Sequence, residues 1–205
     1  TAKRLGAVIE ASDVRPSVKE QIESLGGKFI DVPYETAEEK EAAEGVGGYA
    51  KPMPASWLER QKVEVAKRVA QADVVISTAL IPGRAAPVLI TEEMVKSMKP
   101  GSVIVDMAAG KGAPNADGTV GGNCPLTEAD KIVQKHGVTI VGDTNLAARV
   151  GADASALYAR NVLDFLKLVL PPAAKGEPAS AFRIDMEDDI VAATLVAHQG
   201  AVTRR

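Results

Sequence analysis

The sequence predicts an α/β fold: a doubly wound parallel sheet followed by a long helix and a C-terminal β-hairpin. Three observations carry this reading. Short apolar runs alternate with helix-period segments through about the first 150 residues, the pattern of crossovers between parallel strands. Two of those runs, "DVVISTAL" and "GSVIVDMA", are almost wholly apolar, as strands covered on both faces are. Polar residues gather where the runs end, and sheets of this class bind ligands beyond the carboxyl ends of their strands.

The elements follow in order. "TAKRLGA" reads as the last turns of a helix closed by Gly6, so the chain is expected to be a fragment or a trimmed product. "AVIEAS" is a short strand. Pro16 then opens "SVKEQIESLGG", whose Val18, Ile22 and Leu25 recur at helical spacing before a Gly26-Gly27 stop. "KFIDV" is the next strand, followed by the acidic stretch "YETAEEKEAAEG" and a Gly/Pro-rich segment. A helix is expected over Ser56 to Gln71, with Ser56 and Glu59 at capping-box spacing. After the strand "DVVISTAL" and the turn "IPGRAAP", Thr91 starts a short helix to Met98. "GSVIVDMA" leads into a Gly/Ala/Asn-rich loop, then a short helix near Thr127–His136, the strand "VTIVGDTN" and a long helix from about Asp153 to Val169. The closing residues read as two strands around a polar "EDD" turn. The expected organisation is therefore a sheet domain at 1–150, a connecting helix at 151–170, and a linker with a hairpin at 171–205.

Bulk properties exclude several classes. Of 205 residues, 46 % are hydrophobic and 25 % charged, ordinary for a globular protein. A net charge of −3 gives no basic footprint for nucleic acid or an anionic membrane surface. One cysteine, Cys124, precludes an intrachain disulfide framework and points to a reducing compartment. The longest apolar run carries Lys167 and is too short to span a bilayer, so no direct membrane insertion is expected.

Asp13 ends the first strand. A carboxylate there can accept both hydroxyls of a ribose and repel a 2′-phosphate, favouring NAD over NADP. It reads equally well as an acid at a helix N-terminus ahead of Pro16. Arg15 can lie against an adenine or be a solvated side chain. "GVGGYA", Gly45 to Ala50, matches a phosphate fingerprint in letters only, because it follows no strand and Pro52 and Pro54 stop any helix. It reads as a glycine-hinged loop with Tyr49 at its tip, either a lid or a surface turn. Asn145, ending "GDTN", can bond a carboxamide or ribose, though an Asx turn into the helix is the favoured reading. His136 and His198 lack ligand spacing, and the Asp185–Asp189 cluster lacks that of a calcium loop, so no metal is expected. No acid, base or nucleophile stands out for catalysis. Hydride transfer between two nicotinamides needs none, because the cofactors carry that chemistry.

Taken in order, "SDVRP…KEQIESLGGKFI", "GGYAK", "STALIPGRAAPVLITEEMVKSMKPGSVIVDMA", "GGNCPLTE", "GDTN…ADAS" and "MEDDIV" resemble one family over nearly the whole chain. The chain resembles the NAD(H)-binding domain of proton-translocating NAD(P) transhydrogenase, within the alanine dehydrogenase/transhydrogenase superfamily. The resemblance implies a Rossmann-like domain that holds NAD(H) while a partner domain, the beta subunit, holds NADP(H). It implies hydride transfer coupled to proton translocation, docking on a membrane domain at the cytoplasmic face of the inner membrane, and a homodimer with contacts from the last hairpin. It places cofactor contacts at Asp13, Val14 and Arg15, at Gly48 and Tyr49 of the mobile loop, at Thr78, Ala79 and Leu80, and at Asn145. Two departures stand out. The first strand and the glycine-rich phosphate loop have no counterpart here, and the loop 109–123 is longer than that family's usual connection. The rival readings are an alanine dehydrogenase-like oxidoreductase, which would need a carboxylate near Gly110, and a truncated docking or dimerisation fragment without chemistry.

Overall fold

The structure is a computed structural model that describes residues 1–44, 53–81, 83–116, 118, 120–171, 173 and 181–203. It divides into two compact units, Thr1–Thr144 and Asn145–Arg205.

The first unit opens with a 3-10 turn, Ala2–Leu5, ended by Gly6 in the left-handed conformation, φ 89°. β1 (Glu10–Ala11), α1 (Ser17–Ser24) and β2 (Lys28–Phe29) form a parallel βαβ unit, with Pro16 capping α1. The acidic stretch, which shows no apolar periodicity, is a helix: α2 spans Ala37–Glu44. Alanine and glutamate favour helix. Burial of Ala42 and Ala43 against Val32, Met53 and Trp57 fixes its position. α3 (Ala55–Val69) follows, but the expected capping box does not form. Pro54 is the N-cap, and Ser56 Oγ instead donates to Glu39 Oε1 at 3.0 Å.

β3 (Val74–Ser77), α4 (Glu92–Ser97) and β4 (Val103–Asp106) make the second βαβ unit, with Thr91 Oγ1 capping α4 through the Met94 N–H. The segment 127–136, expected as a helix, instead gives turns and then a strand, β5 (Ile132–Lys135), antiparallel to β6 (Val138–Val141). The deciding feature is the two-residue connection His136-Gly137, with φ of 52° and 80°. Two consecutive positive φ angles make the tight turn whose twist matches a hairpin. Strand order is β3-β4-β6-β5, with β1-β2 a separate pair. Val69, Ile90, Met94, Val95, Met98, Ile104, Cys124, Val138 and Ile140 form the main core on one face of the four-stranded sheet.

The second unit holds α5 (Leu146–Arg149), α6 (Gly151–Val169), α7 (Asp189–Thr194) and a hairpin of β7 (Ala197–His198) and β8 (Ala201–Val202). The "EDD" segment is therefore not a hairpin tip. Asp188 caps α7, its Oδ1 accepting from the Ile190 and Val191 N–H groups at 2.9 Å. The chain reverses later, at Gln199-Gly200. An apolar cavity of about 350 Å³ is lined by Phe165, Val169, Phe182, Val191 and Leu195 among others. Leu157, Tyr158 and Leu163 of α6 are exposed.

Two outcomes are expected. A methyl group at Gly122 would overlap the carboxylate of the fully buried Asp106. Gly122→Ala should cost about 1–3 kcal/mol, read as a lower melting temperature. Burial pushes the Cys124 thiol up from its ordinary value. Iodoacetamide should therefore label it at the rate of global opening, with fast labelling only in denaturant.

Candidate functional site

β3 and β4 run parallel and end together, and the Met107 N–H donates to Ser77 O at 2.9 Å. α3 sets the direction of β1 relative to them. Gln61 Nε2 donates to Ser12 Oγ at 3.3 Å, and Arg68 Nη1 to Glu10 Oε1 at 3.5 Å. Later helix residues thus meet earlier strand residues, so α3 runs antiparallel to β1. The same helix leads directly into β3, packing Val65, Ala66 and Val69 with Val75 on the core beneath it. β1 and β3 therefore point the same way, and the turns after them open on one edge of the unit.

At the end of β1, Arg15 clamps Asp13. Its backbone N–H and Nε donate to Oδ1, and Nη2 to Oδ2, each at 2.9 Å. Burial raises the Asp13 pKa, but the Arg15 hydrogen bonds and charge outweigh it and hold the carboxyl below its ordinary value. Val14 packs against the cluster of Val32 and Trp57, which anchors the turn from beneath.

At the end of β3, Thr78-Ala79-Leu80 is shaped by Asn123, which is fully buried. Its side-chain Oδ1 accepts from the Ala79 N–H at 3.1 Å, while Nδ2 donates to Ala79 O at 2.8 Å and to Pro87 O at 2.9 Å. Its own carbonyl accepts from the Leu89 and Ile90 N–H groups. One side chain therefore substitutes for a strand partner and holds this turn in place. Leu80, Ile81 and Met107 remain exposed beside it.

At the end of β4, Asp106 is wholly committed to structure. Oδ1 accepts from the Ala108 N–H at 3.1 Å and Ser77 Oγ at 3.5 Å; Oδ2 accepts from the Cys124 N–H at 3.0 Å and Thr127 Oγ1 at 2.8 Å. The residues after it, Ala108-Ala109-Gly110, carry no carboxylate. The long loop that follows closes on itself through the Gly110 N–H and Gly121 O at 3.0 Å.

The remaining expected residues are placed as follows. Asn145 lies in the second unit and caps α5, its Oδ1 accepting from the Ala148 N–H at 3.3 Å. Gly48 and Tyr49 lie outside the described residues. The helices on either side of their segment are tied by Glu39, which is 1 % exposed. It accepts from the Glu35 N–H at 2.8 Å, Ser56 Oγ, and Arg60 Nη2 at 2.7 Å. The Glu35 N–H above all, with Ser56 and Arg60, holds the Glu39 carboxyl below its ordinary value against the opposing cost of burial. The sequence by itself does not mark Asn123 or Glu39. Isolated polar residues in a loop and in an acidic run carry no period that would single them out.

The residues fit one portion of a nicotinamide dinucleotide. Asp13 supplies an ionised acceptor, the turn after β3 supplies backbone, and Leu80, Ile81 and Met107 supply apolar surface. A glycine-rich turn between strand and helix, the usual pyrophosphate cradle, is absent among the described residues. No group of side chains among them is arranged to hold a metal ion.

Comparison with known proteins agrees with this reading of the fold. The model of the family described as alanine dehydrogenase/PNT, C-terminal domain, matches residues 1–205. The first section of the split NAD(P) transhydrogenase alpha subunit of Rhodospirillum rubrum is 51 % identical over 202 residues, 98 % of this chain and 48 % of the relative. NAD(P) transhydrogenase subunit alpha of Cereibacter sphaeroides is 44 % identical over 204 residues, 99 % of this chain and 36 % of the relative. The crystal structure of transhydrogenase from Sinorhizobium meliloti superposes with a TM-score of 0.71 at 42 % identity, covering 98 % of this chain and 47 % of that one. The chain thus spans about half the length of these relatives or less.

The Asp13–Arg15 clamp has a pH signature. Because the folded-state pKa lies below the ordinary 3.8, its stabilisation is complete above that value and drains as pH falls through the folded one. Below about pH 4, the melting temperature of the native chain should fall more steeply than that of Asp13→Asn. Parallel curves would show that the clamp contributes nothing.

Proposed function

The chain belongs to the alanine dehydrogenase/PNT C-terminal domain family, and from that premise we propose that it is the NAD(H)-binding portion of a transhydrogenase. The observation that carries this is Asp13, kept ionised at the carboxyl end of β1 on the same edge as the turn after β3. The names of the relatives matched over 98–99 % of the chain support it.

In this reading Asp13 accepts the two ribose hydroxyls in exchange for the Arg15 guanidinium, which turns toward the adenine. A carboxylate has about four acceptor sites, and those of Asp13 are largely taken by Arg15, so the exchange is required. The negative charge disfavours a 2′-phosphate and so selects NAD(H) over NADP(H). Thr78, Ala79 and Leu80 present backbone to the nucleotide, while Leu80, Ile81 and Met107 exclude water from it. Asn145 and the Gly48-Tyr49 loop complete the contacts. When bound, NADH supplies the hydride, so no side chain of this chain is assigned a catalytic role.

The partners follow from the same reading: a membrane domain and an NADP(H)-binding subunit, with hydride transfer coupled to proton translocation at the cytoplasmic face of the inner membrane. No helix among the described residues is long and apolar enough to cross a membrane. The exposed apolar residues of α6 and the C-terminal hairpin suit contacts to those partners or to a second copy in a homodimer.

Titration of NADH into the isotopically labelled chain, followed by amide resonances, tests the site. Weak but saturable shifts should cluster at Asp13–Arg15 and Thr78–Leu80. Asp13→Asn should weaken binding about tenfold, ~1.4 kcal/mol, and erase the preference over NADPH. Shifts confined to other residues would refute the site. Reduction of NAD dependent on L-alanine would refute the transhydrogenase reading in favour of the dehydrogenase one.

A further inference from the structure

The strands of the first unit form two sheets where a doubly wound fold has one. β1 pairs with β2, and β3 begins a second sheet, β3-β4-β6-β5. The doubly wound order is 3-2-1-4-5-6. Taking out its strand 1 leaves a pair, 3-2, and a set, 4-5-6, which is the division seen here in β2-β1 and β3-β4-β6.

Three observations make the two sheets sides of one open lane. The first is direction: α3 lies antiparallel to both β1 and β3, touching β1 through Gln61 and Arg68 and the core under β3 through Val65, Ala66 and Val69. The second is the backbone. Asp73 O and Ser77 O accept from the Val103 and Met107 N–H groups, so residues 73, 75 and 77 bond toward β4. Alternation then turns the N–H and C=O groups of Val74 and Ile76 to the other side. In β1, Ile9 O and Ala11 O accept from Lys28 and Ile30, which turns the backbone groups of Glu10 away from β2. The third is exposure: Val74 and Ile76 are 58 % and 62 % exposed and Val8 96 %, although they are strand-type apolar residues. Unpaired apolar edges of this kind are templates for strand addition.

We propose that the lane between β1 and β3 is a receptor for one extended peptide strand from outside this chain, parallel to both and rich in β-branched apolar side chains. A helix or an apolar small molecule would leave two rows of backbone donors and acceptors unmet, whereas one strand meets both. A second copy of this chain would bring an edge already attached to its own sheet and could pair with only one side. The occupant is apolar on both faces, because a central parallel strand is covered on both. In the relatives, half or more of the polypeptide lies outside the region this chain matches, ample for such a segment. The inference rests on the sheets alone and stands whether or not the chain binds nucleotide.

The probe is an acetylated, amidated heptapeptide of Val, Ile and Thr with a lysine at each end, titrated into the full chain at neutral pH. Hydrogen exchange at Glu10, Val74 and Ile76 should slow on binding, and the melting temperature should rise with peptide concentration. The same peptide N-methylated at alternate amides should bind at least about tenfold more weakly, since it cannot donate to both edges. Ile76→Pro removes only an outward N–H and leaves the pairing with β4, so it should fold and lose the response. Equal binding of the N-methylated peptide, or no protection of these amides at saturating peptide, would overturn the proposal without touching the nucleotide site. Edge amides already protected in a concentration-dependent dimer would assign the lane to a second copy and overturn it as well.

Discussion

Helix α3 meets both β-sheets of the first unit, and its antiparallel course along β1 and β3 sets where every strand end points. The polar contacts that mark this course, Gln61 with Ser12 and Arg68 with Glu10, are partly exposed and long at 3.3 and 3.5 Å. Such pairs contribute about 0–1 kcal/mol each. The larger share comes from apolar burial along the helix: Trp57 in one cluster and Val69 in another, both nearly inaccessible. A fully buried side chain of this kind is worth roughly 1.5–3 kcal/mol. Packing therefore holds α3 in place, and the polar pairs fix its register. Trp57 adds direction, since its Nε1–H donates to Val32 O at 3.2 Å and stacks the ring near Tyr34.

Once the strands are aligned, two buried polar side chains shape their ends. Asp106 gathers four donors from three segments, joining the ends of β3 and β4 to the loop before Thr127. Asn123 does for Ala79 what a neighbouring strand would do, with one bond in each direction. Burying either group unpaired would cost several kcal/mol, so each is tolerated only because its bonding is saturated. That saturation also separates structural from ligand-facing groups. Asp106 is closed to a ligand, whereas Asp13 is held by one arginine whose side chain is partly exposed and can be exchanged.

Sheet strands and the principal helices are legible in the sequence because their signals are local. Pro16, Thr91 and the spacing of Val18, Ile22 and Leu25 mark helices, and the apolar runs ending at Ser77 and Asp106 mark buried strands. The misreadings share one cause, a local signal with two uses. Asp188 reads as a turn residue and is a cap, because an aspartate oxygen serves exposed N–H groups equally in both. Ser56 and Glu59 have capping-box spacing, yet Glu39 takes the Ser56 hydroxyl from a distant segment of the chain. Residues 132–135 read as helix until the positive φ angles of His136 and Gly137 close a hairpin. At the candidate site, Asp13 and the turn after β3 are visible as polar strand ends. Asn123 is not, since its role arises only when residues 79, 87, 89 and 90 converge on it.

The lane and the candidate nucleotide site are adjacent for a geometric reason. A strand lying parallel between β1 and β3 ends between the turns that follow them, that is, between Asp13 and Ala79. In doubly wound sheets this is the point where strand order reverses and where ligands bind. Whatever leaves the carboxyl end of such a strand would face the gap between a ribose acceptor and a backbone turn, the place a pyrophosphate occupies when a helix N-terminus follows the strand. Occupation of the lane and occupation of the nucleotide site would then stabilise the same alignment of β1 and β3. Two ligands that favour one arrangement must raise each other's affinity by the same factor. A chain with the lane open therefore keeps the ribose end of the site formed, through Arg15 and Val14, while the alignment that would tighten it waits on a strand.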